Sequence, residues 1–104
     1  MDTRHKLVYL ASADADILKI VGFHAEQVGP DSARKIYQAI REQIAQLQSF
    51  PMMGQIHPDP ELAVQGYRKL MLTKTYVAVY KAVGGAVIIY RVVNGKTDYS
   101  KLLI

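Results

Sequence analysis

Three short runs rich in Val, Ile and Tyr dominate the last third of the chain, residues 66–104. They begin at Gly66, Tyr76 and Val87, and the third run is apolar on both faces until Arg91, as in a central strand. Turn-forming residues separate or follow them, namely Thr73-Lys74, Gly84-Gly85 and Asn94-Gly95. This pattern predicts an antiparallel meander. The upstream residues are then expected to cover one face of that sheet.

A strand followed by a helix is predicted at the start of the chain. The run 5–11 predicts the strand, and apolar residues at helical spacing over 17–28 predict the helix. We expect Ser12 to cap the helix N-terminus. Asp14 and Asp16 then lie in the first turn, where carboxylates favour the positive end of the helix dipole.

A second amphipathic helix follows at once. Gly29-Pro30 ends the first helix, Asp31 is expected to cap the second, and apolar residues recur at helical spacing over 33–47. Because the connection is so short, the two helices must form an antiparallel hairpin. Their apolar faces are expected to pack on the C-terminal sheet.

The residues between the second helix and the meander are predicted to form an irregular loop, 52–65, since Pro and Gly interrupt any period. A single helical turn is expected over 61–64. Met52-Met53 could form an adaptable contact patch for a partner, but we favour the interpretation that this pair fills a gap beneath the loop. The apolar terminus 102–104 is expected to dock on the core or on a partner.

The order β-α-α-β-β-β predicts an α+β, two-layer fold in which a helical hairpin packs on a mainly antiparallel sheet, forming one domain over 1–104. The chain has no Cys, which excludes disulfides and thiolate sites. No apolar run approaches the ~20 residues of a membrane helix. His5 and His57 have no acidic or His residue at ligand spacing. We expect a soluble cytoplasmic protein with no metal, no cofactor and no membrane contact.

The net charge of +4 is unevenly distributed. Residues 1–65 carry six Lys or Arg against eight Asp or Glu, whereas residues 66–104 carry seven against one. A basic sheet predicts an acidic or polyanionic partner. The alternative is that lysines protect edge strands from aggregation, which we favour for Lys81 and Lys101.

Six motifs occur in a distinctive order along the chain: Ser-Ala-Asp-Ala-Asp at 12–16, Gly-Pro-Asp-Ser-Ala-Arg at 29–34, Phe-Pro-Met-Met-Gly at 50–54, and the runs 66–70, 76–80 and 91–99. In this order and spacing the sequence resembles the RelE/ParE superfamily of toxins from bacterial type II toxin–antitoxin modules. The resemblance implies a small basic toxin that an antitoxin neutralises. RelE-like members cleave mRNA on the ribosome, whereas ParE-like members inhibit DNA gyrase.

Residue chemistry favours the ParE-like branch. Metal-independent RNA cleavage requires an acid or base with a suitable pKa and several convergent cations. The resemblance places basic or histidine side chains of RelE-like nucleases at positions where this chain has Leu70, Val77, Asn94 and Thr97. Arg68, Lys96 and Tyr99 remain as candidate catalytic residues if the chain is a nuclease.

We therefore expect a toxin that acts on a gyrase-type target through protein contacts and is not an enzyme. Two alternatives remain open, a RelE-like ribosome-dependent mRNA endonuclease and a non-toxic nucleic-acid-binding relative. The expected partners are an antitoxin and either DNA gyrase or the ribosome with mRNA, and a homodimer is a further alternative. Residues expected to bind the target or nucleic acid are Arg68, Lys69, Lys74, Arg91, Asn94, Lys96 and Tyr99. Residues expected to bind the antitoxin are Ile36, Ile40, Ile44, Leu102 and Leu103.

Overall fold

Over residues 4–103, which a computed structural model describes, the chain forms a five-stranded sheet and three α-helices. The strands are β1 (Lys6–Tyr9), β2 (Gln55–Ile56), β3 (Arg68–Met71), β4 (Tyr76–Val83) and β5 (Ala86–Asn94). The helices are α1 (Ala11–Gln27), α2 (Pro30–Ala45) and α3 (Pro60–Val64), and 3-10 turns lie at 46–48 and 100–102. The strand order is β1-β5-β4-β3-β2, with β1 parallel to β5 and every other pair antiparallel. The predicted α+β fold is confirmed, with β2 as an additional strand.

The helical hairpin packs on one face of the sheet, as predicted. The core on this side consists mainly of Ile17, Ile20, Ile40, Ile44 and Leu47 from the hairpin, with Leu70, Ala78, Tyr80, Val87 and Ile89 from the strands. Each fully buried aliphatic side chain of this size contributes roughly 1.5–3 kcal/mol. The apolar stripe of α1 is buried only in its first half. Ala25 is exposed within the helix, and Val28 is exposed past its end.

The start of α1 differs from the prediction. The helix begins at Ala11, two residues earlier than a cap at Ser12 allows, and Leu10 occupies the N-cap position. The Ser12 hydroxyl instead donates to the carbonyl oxygen of Tyr90 at 2.7 Å. Because β1 ends at Tyr9, it does not pair with the rest of β5. The first turn of α1 supplies a hydrogen bond to β5 beyond that point.

The predicted cap of α2 is also wrong. Gly29, with φ of 142°, occupies the N-cap position, and no side chain caps the helix. Pro30 takes the first helical position, where its missing N–H is not needed. Asp31 lies in the first turn and accepts a hydrogen bond from Arg34 at 3.1 Å.

A second apolar cluster covers the other face of the sheet, which we call the far face. It contains Leu62, Tyr67, Val77, Val79 and Tyr99. The predicted turn at 61–64 is confirmed as part of α3, and it supplies Leu62 to this cluster. Leu103 packs against the cluster, Leu102 is exposed, and Ile104 lies outside the described residues. The expectation that all upstream residues cover one face of the sheet is therefore wrong, because Leu62 packs on the other face.

Candidate interaction surface

Arg68 holds a loop in place. It pairs with Tyr80 across β3 and β4, and directly opposed residues share a face, so its side chain lies on the helix side of the sheet. Its Nη1 donates to the Gly54 carbonyl oxygen at 2.8 Å. The buried Tyr80 hydroxyl accepts from the Gly54 N–H at 2.9 Å and donates to the Pro51 carbonyl at 2.8 Å. Burial raises the pKa of this Tyr80 hydroxyl, which therefore stays protonated.

Tyr99 belongs to the far face and is only 8% exposed. Its hydroxyl lies 2.7 Å from Nε2 of the buried His57, and the Asp59 N–H donates to Nδ1 at 3.0 Å. Nδ1 is therefore an acceptor, which places the imidazole proton on Nε2, facing the tyrosine oxygen. Burial first, and then the charge of Lys69, lower the pKa of His57, while burial raises the pKa of Tyr99. This neutral pair joins the loop to the C-terminal segment and leaves almost no ring surface on which a base could stack.

Lys96 and Asn94 lie at the opposite end of the sheet from Arg68. Asn94 pairs with Tyr76 on β4, whereas Arg68 pairs with Tyr80, four residues along the same strand. Strand rise and spacing place the Cα atoms of Arg68 and Asn94 about 16 Å apart. Asn94 closes its own turn, since its Oδ1 accepts from the Lys96 N–H at 2.9 Å. Lys96 is exposed. The three candidate catalytic residues therefore do not converge on one phosphate.

Arg91 forms an ion pair with Asp16 of α1. The β4–β5 register shifts next to Tyr80, which leaves Tyr90 unopposed and turns Arg91 toward α1. Its Nε and Nη2 each donate to the Asp16 carboxylate at 2.7 Å, and the Val92 N–H donates to the same group at 3.0 Å. Asp16 thus secures β5 to α1 rather than marking the start of the helix, and the pairing raises the pKa of Arg91.

The other lysines divide into two kinds. Lys69 is half-buried on β3, and Lys74 is exposed in the turn between β3 and β4. Lys81 lies on β4, an inner strand, with Nζ 4.3 Å from the ring centre of Tyr67 and 5.2 Å from that of Tyr90. Its role as an edge-protecting lysine is excluded, because it packs on aromatic rings of the far face.

The residues expected to bind an antitoxin differ widely in exposure. Ile40 and Ile44 are 0% exposed, so they pack in the core and present no surface to a partner. Ile36 and Leu103 are half-buried, and Leu102 is exposed. Periodicity identified the apolar face of α2 correctly, but that face belongs to the domain core.

A groove that the sequence did not indicate runs along the outer edge of the sheet. The two-residue strand β2 pairs with only Arg68 and Lys69 of β3. Beyond it, a groove of about 350 Å³ is lined by Gln43, Met53, Gly54, Gln55, Lys69, Leu70 and Met71. Met53, which lines the groove, and the neighbouring Met52 are both exposed, so the interpretation of this pair as buried filling is wrong. The pair Met52-Met53 directly before Gly54 is the sequence signal that could have indicated the groove.

Two further kinds of site are absent from the described part of the chain. Among residues 4–103, no group of three His, Asp or Glu side chains could hold a metal ion. In the same range, no helix is long and apolar enough to cross a membrane.

The sequence matches a family model over residues 7–99, nearly its whole length. That family is described as the ParE toxin of the type II toxin–antitoxin system parDE. The chain belongs to the ParE toxin family. This ParE-family chain is therefore the toxin component of a type II toxin–antitoxin system, and an antitoxin is its partner.

A solved structure agrees with this assignment. The ParE-family chain is similar to a chain of the chromosomal ParDE toxin–antitoxin system of P. aeruginosa, with 26% sequence identity and a TM-score of 0.75. The alignment covers 88% of this chain and 97% of the other. No curated protein matches the sequence.

Proposed function

We propose that this ParE-family toxin arrests growth by binding DNA gyrase, and that it acts through protein contacts rather than by cleaving RNA. The observation that carries the proposal is the dispersal of the three candidate catalytic residues. Arg68 lies on the helix side and binds a backbone carbonyl, Tyr99 is buried on the far face, and Lys96 lies at the other end of the sheet.

The chemical requirements of RNA cleavage also support action through protein contacts. A phosphorane transition state must be contacted at once by cations and by an acid or base, each within about 3 Å of its atom. The separation of about 16 Å between the Cα atoms of Arg68 and Asn94, and the hydrogen bond that already engages the Arg68 guanidinium, both argue against such contact. His57 could act as an acid or base, but both of its ring nitrogens are engaged in hydrogen bonds.

Charge and exposure define the surface available for protein contacts. Lys74 and Lys96 are exposed at one end of the sheet, and no carboxylate among residues 4–103 forms an ion pair with either. Gyrase is a DNA-bound enzyme of the cytoplasm, so the proposal places the action of the toxin there. Leu102, the one exposed residue of the predicted antitoxin set, is available to the antitoxin.

The test is to induce the chain alone and to follow labelled thymidine and labelled methionine incorporation separately. We expect thymidine incorporation to stop first, and the purified protein to inhibit supercoiling by purified gyrase. Cleavage of mRNA on purified ribosomes, lost in a Lys96→Ala variant, would contradict the proposal. Lys96 suits this control because its side chain makes no hydrogen bond or ion pair within the described residues.

A further inference from the structure

One end of the far face has no covering layer. β4 is buried on both faces over 77–80, but it is half-buried or exposed from Lys81 to Val83. β5 alternates between half-buried and buried residues over 86–89. Val8 and Ile88 are half-buried and pack in neither apolar cluster. The far-face cluster therefore ends before the sheet does, and apolar strand residues remain in contact with water.

The strand register brings these uncovered residues together. Residues that are directly opposed across strands, or two apart along a strand, share a face. Nζ of Lys81 lies over the rings of Tyr67 and Tyr90, which identifies that face as the far face. One row across three strands is Val8, Ile88 and Lys81, and the next is Lys6, Ala86 and Val83. We call these six residues the open strip.

The open strip presents side chains but no free backbone groups at its centre. Over the strip, β5 pairs with β1 on one side and with β4 on the other. A partner therefore cannot add a strand at the centre and must contact the side chains alone. A folded surface suits such a contact, because it loses less conformational entropy on binding than a segment that becomes ordered on the sheet.

Two lysines occupy opposite corners of the open strip. Two strand spacings and two residue rises place the Cα atoms of Lys6 and Lys81 about 12 Å apart. The strands β1, β4 and β5 contain no Asp or Glu, and among residues 4–103 neither lysine forms an ion pair. The charge of the strip therefore requires carboxylates from a partner.

The same features argue against two other occupants. A two-fold dimer through the strip would bring lysines of both copies together with no carboxylate to pair with them. A nucleic acid would bury the apolar row at Val8 and Ile88 without placing phosphates against it, since phosphate contacts come from cations and hydrogen-bond donors. An apolar centre with charges at its rim is instead typical of a contact between two proteins.

We propose that the toxin contacts its target protein through the open strip. The target presents a folded apolar patch to Val8 and Ile88, with one carboxylate for Lys6 and another for Lys81, about 12 Å apart. This inference rests on the proposed function, which makes gyrase the target. It adds to that function the face of the sheet and the chemistry of the contact.

The first measurement is the dissociation constant of purified gyrase for two matched pairs of variants. Val8→Thr keeps a β-branched side chain in β1 and replaces a methyl by a hydroxyl. Val28→Thr makes the same change at a residue that is 71% exposed after the end of α1. Lys6→Glu and Lys19→Glu each reverse one exposed charge, the first in the strip and the second on α1.

Both strip variants are expected to weaken gyrase binding. We expect at least about a fivefold loss for Val8→Thr, because apolar contact is removed, and at least about a tenfold loss for Lys6→Glu, because a carboxylate then meets a carboxylate. The two controls should change the constant less than about twofold. Wild-type affinity in Lys6→Glu, or equal losses in strip variants and controls, overturns the inference. Lys6→Glu alters an exposed side chain, so it tests the strip even if Val8→Thr lowers stability.

The second measurement is the dissociation constant of the antitoxin encoded beside the toxin, for the same four variants. We expect changes of less than about threefold, which also shows that the variants are folded. If Lys6→Glu weakens antitoxin binding and leaves gyrase binding unchanged, the strip belongs to the antitoxin and the inference is overturned. Equal losses for both partners overturn it as well, because the strip is then not specific for the target.

Failure of the inference and failure of the proposed function give different results. If the wild-type chain binds gyrase and inhibits supercoiling, and Lys6→Glu does both equally well, the strip is not the contact surface but gyrase remains the target. If the wild-type chain neither binds gyrase nor inhibits supercoiling, the proposed function fails and the inference fails with it.

Discussion

Replacing Tyr80 by Phe should remove much of the stability of the loop before β2. The hydroxyl is fully buried and makes two hydrogen bonds, from the Gly54 N–H and to the Pro51 carbonyl. Gly54 is buried, so its N–H is left without a partner, which costs about 1–3 kcal/mol. Pro51 is half-buried, so water can replace part of the second bond, whose loss costs about 0.5–1 kcal/mol.

The two losses together predict a decrease of about 1.5–4 kcal/mol in the free energy of unfolding. For a domain of this size the melting temperature should fall by roughly 4–8 °C for each kcal/mol that is lost. Urea unfolding followed by far-UV circular dichroism measures the free energy directly, and the slope m should not change. The control is Tyr37→Phe, which removes a hydroxyl from a ring that is 41% exposed. A loss below about 0.5 kcal/mol for Tyr80→Phe, or equal losses for both variants, would refute the assignment of Tyr80 as the anchor of the loop.

Three further predictions concern single residues. Gly54→Ala should lower the free energy of unfolding by more than about 2 kcal/mol, because the added Cβ would lie 2.7 Å from a backbone oxygen. Gly22→Ala should raise the free energy of unfolding by roughly 0.5–1 kcal/mol, because the position is in the middle of α1 and has open space around it. Urea unfolding of both variants tests this contrast. Burial lowers the pKa of His57, so the unfolded chain binds a proton at this residue more readily than the folded chain does. The neutral His57–Tyr99 pair therefore contributes its full stability above about pH 6.5, and progressively less as the pH falls below that value. Unfolding at pH 7.5 and 5.5 should show this loss in wild type and a smaller one in His57→Gln, and equal losses would contradict it. Asp16→Ala should lower the free energy of unfolding by about 3 kcal/mol, because it leaves without its partner the Arg91 guanidinium, whose side chain is only 22% exposed. Asp31→Ala breaks an ion pair whose side chains are 67% and 86% exposed, so the decrease should be less than about 0.5 kcal/mol. Thermal melting compares the two variants, and similar decreases would contradict the prediction.

Much of the fold could be predicted because it follows from local periodicity. The helical spacing over 17–28 and 33–47 and the Val- and Tyr-rich runs predict the two-layer arrangement correctly. The two-residue strand β2 could not be predicted, since it is too short to show a period. The far-face cluster was missed because Leu62 and Tyr99 lie in segments without periodicity and meet only in the folded chain.

The candidate site was harder to predict, since residue type does not reveal which way a side chain points. Arg68 has the chemistry of a phosphate-binding residue, but its register opposite Tyr80 places it on the helix side. Ile40 and Ile44 have the spacing of a binding face, but burial removes them from the surface. The groove beside Met71 depends on where β2 stops, which only the tertiary structure determines.

The parallel partner of β1 is synthesised long after β1 itself. Ser12, directly after this strand, bonds to Tyr90, 78 positions further along the chain. A ribosome therefore releases β1 and both long helices while the strand that completes their sheet does not yet exist, and the apolar helix faces stay uncovered during that interval. Such distant pairing also slows folding. A partner that recognises the finished sheet can bind only after translation has passed Asn94, so a nascent chain interrupted earlier offers it no completed surface.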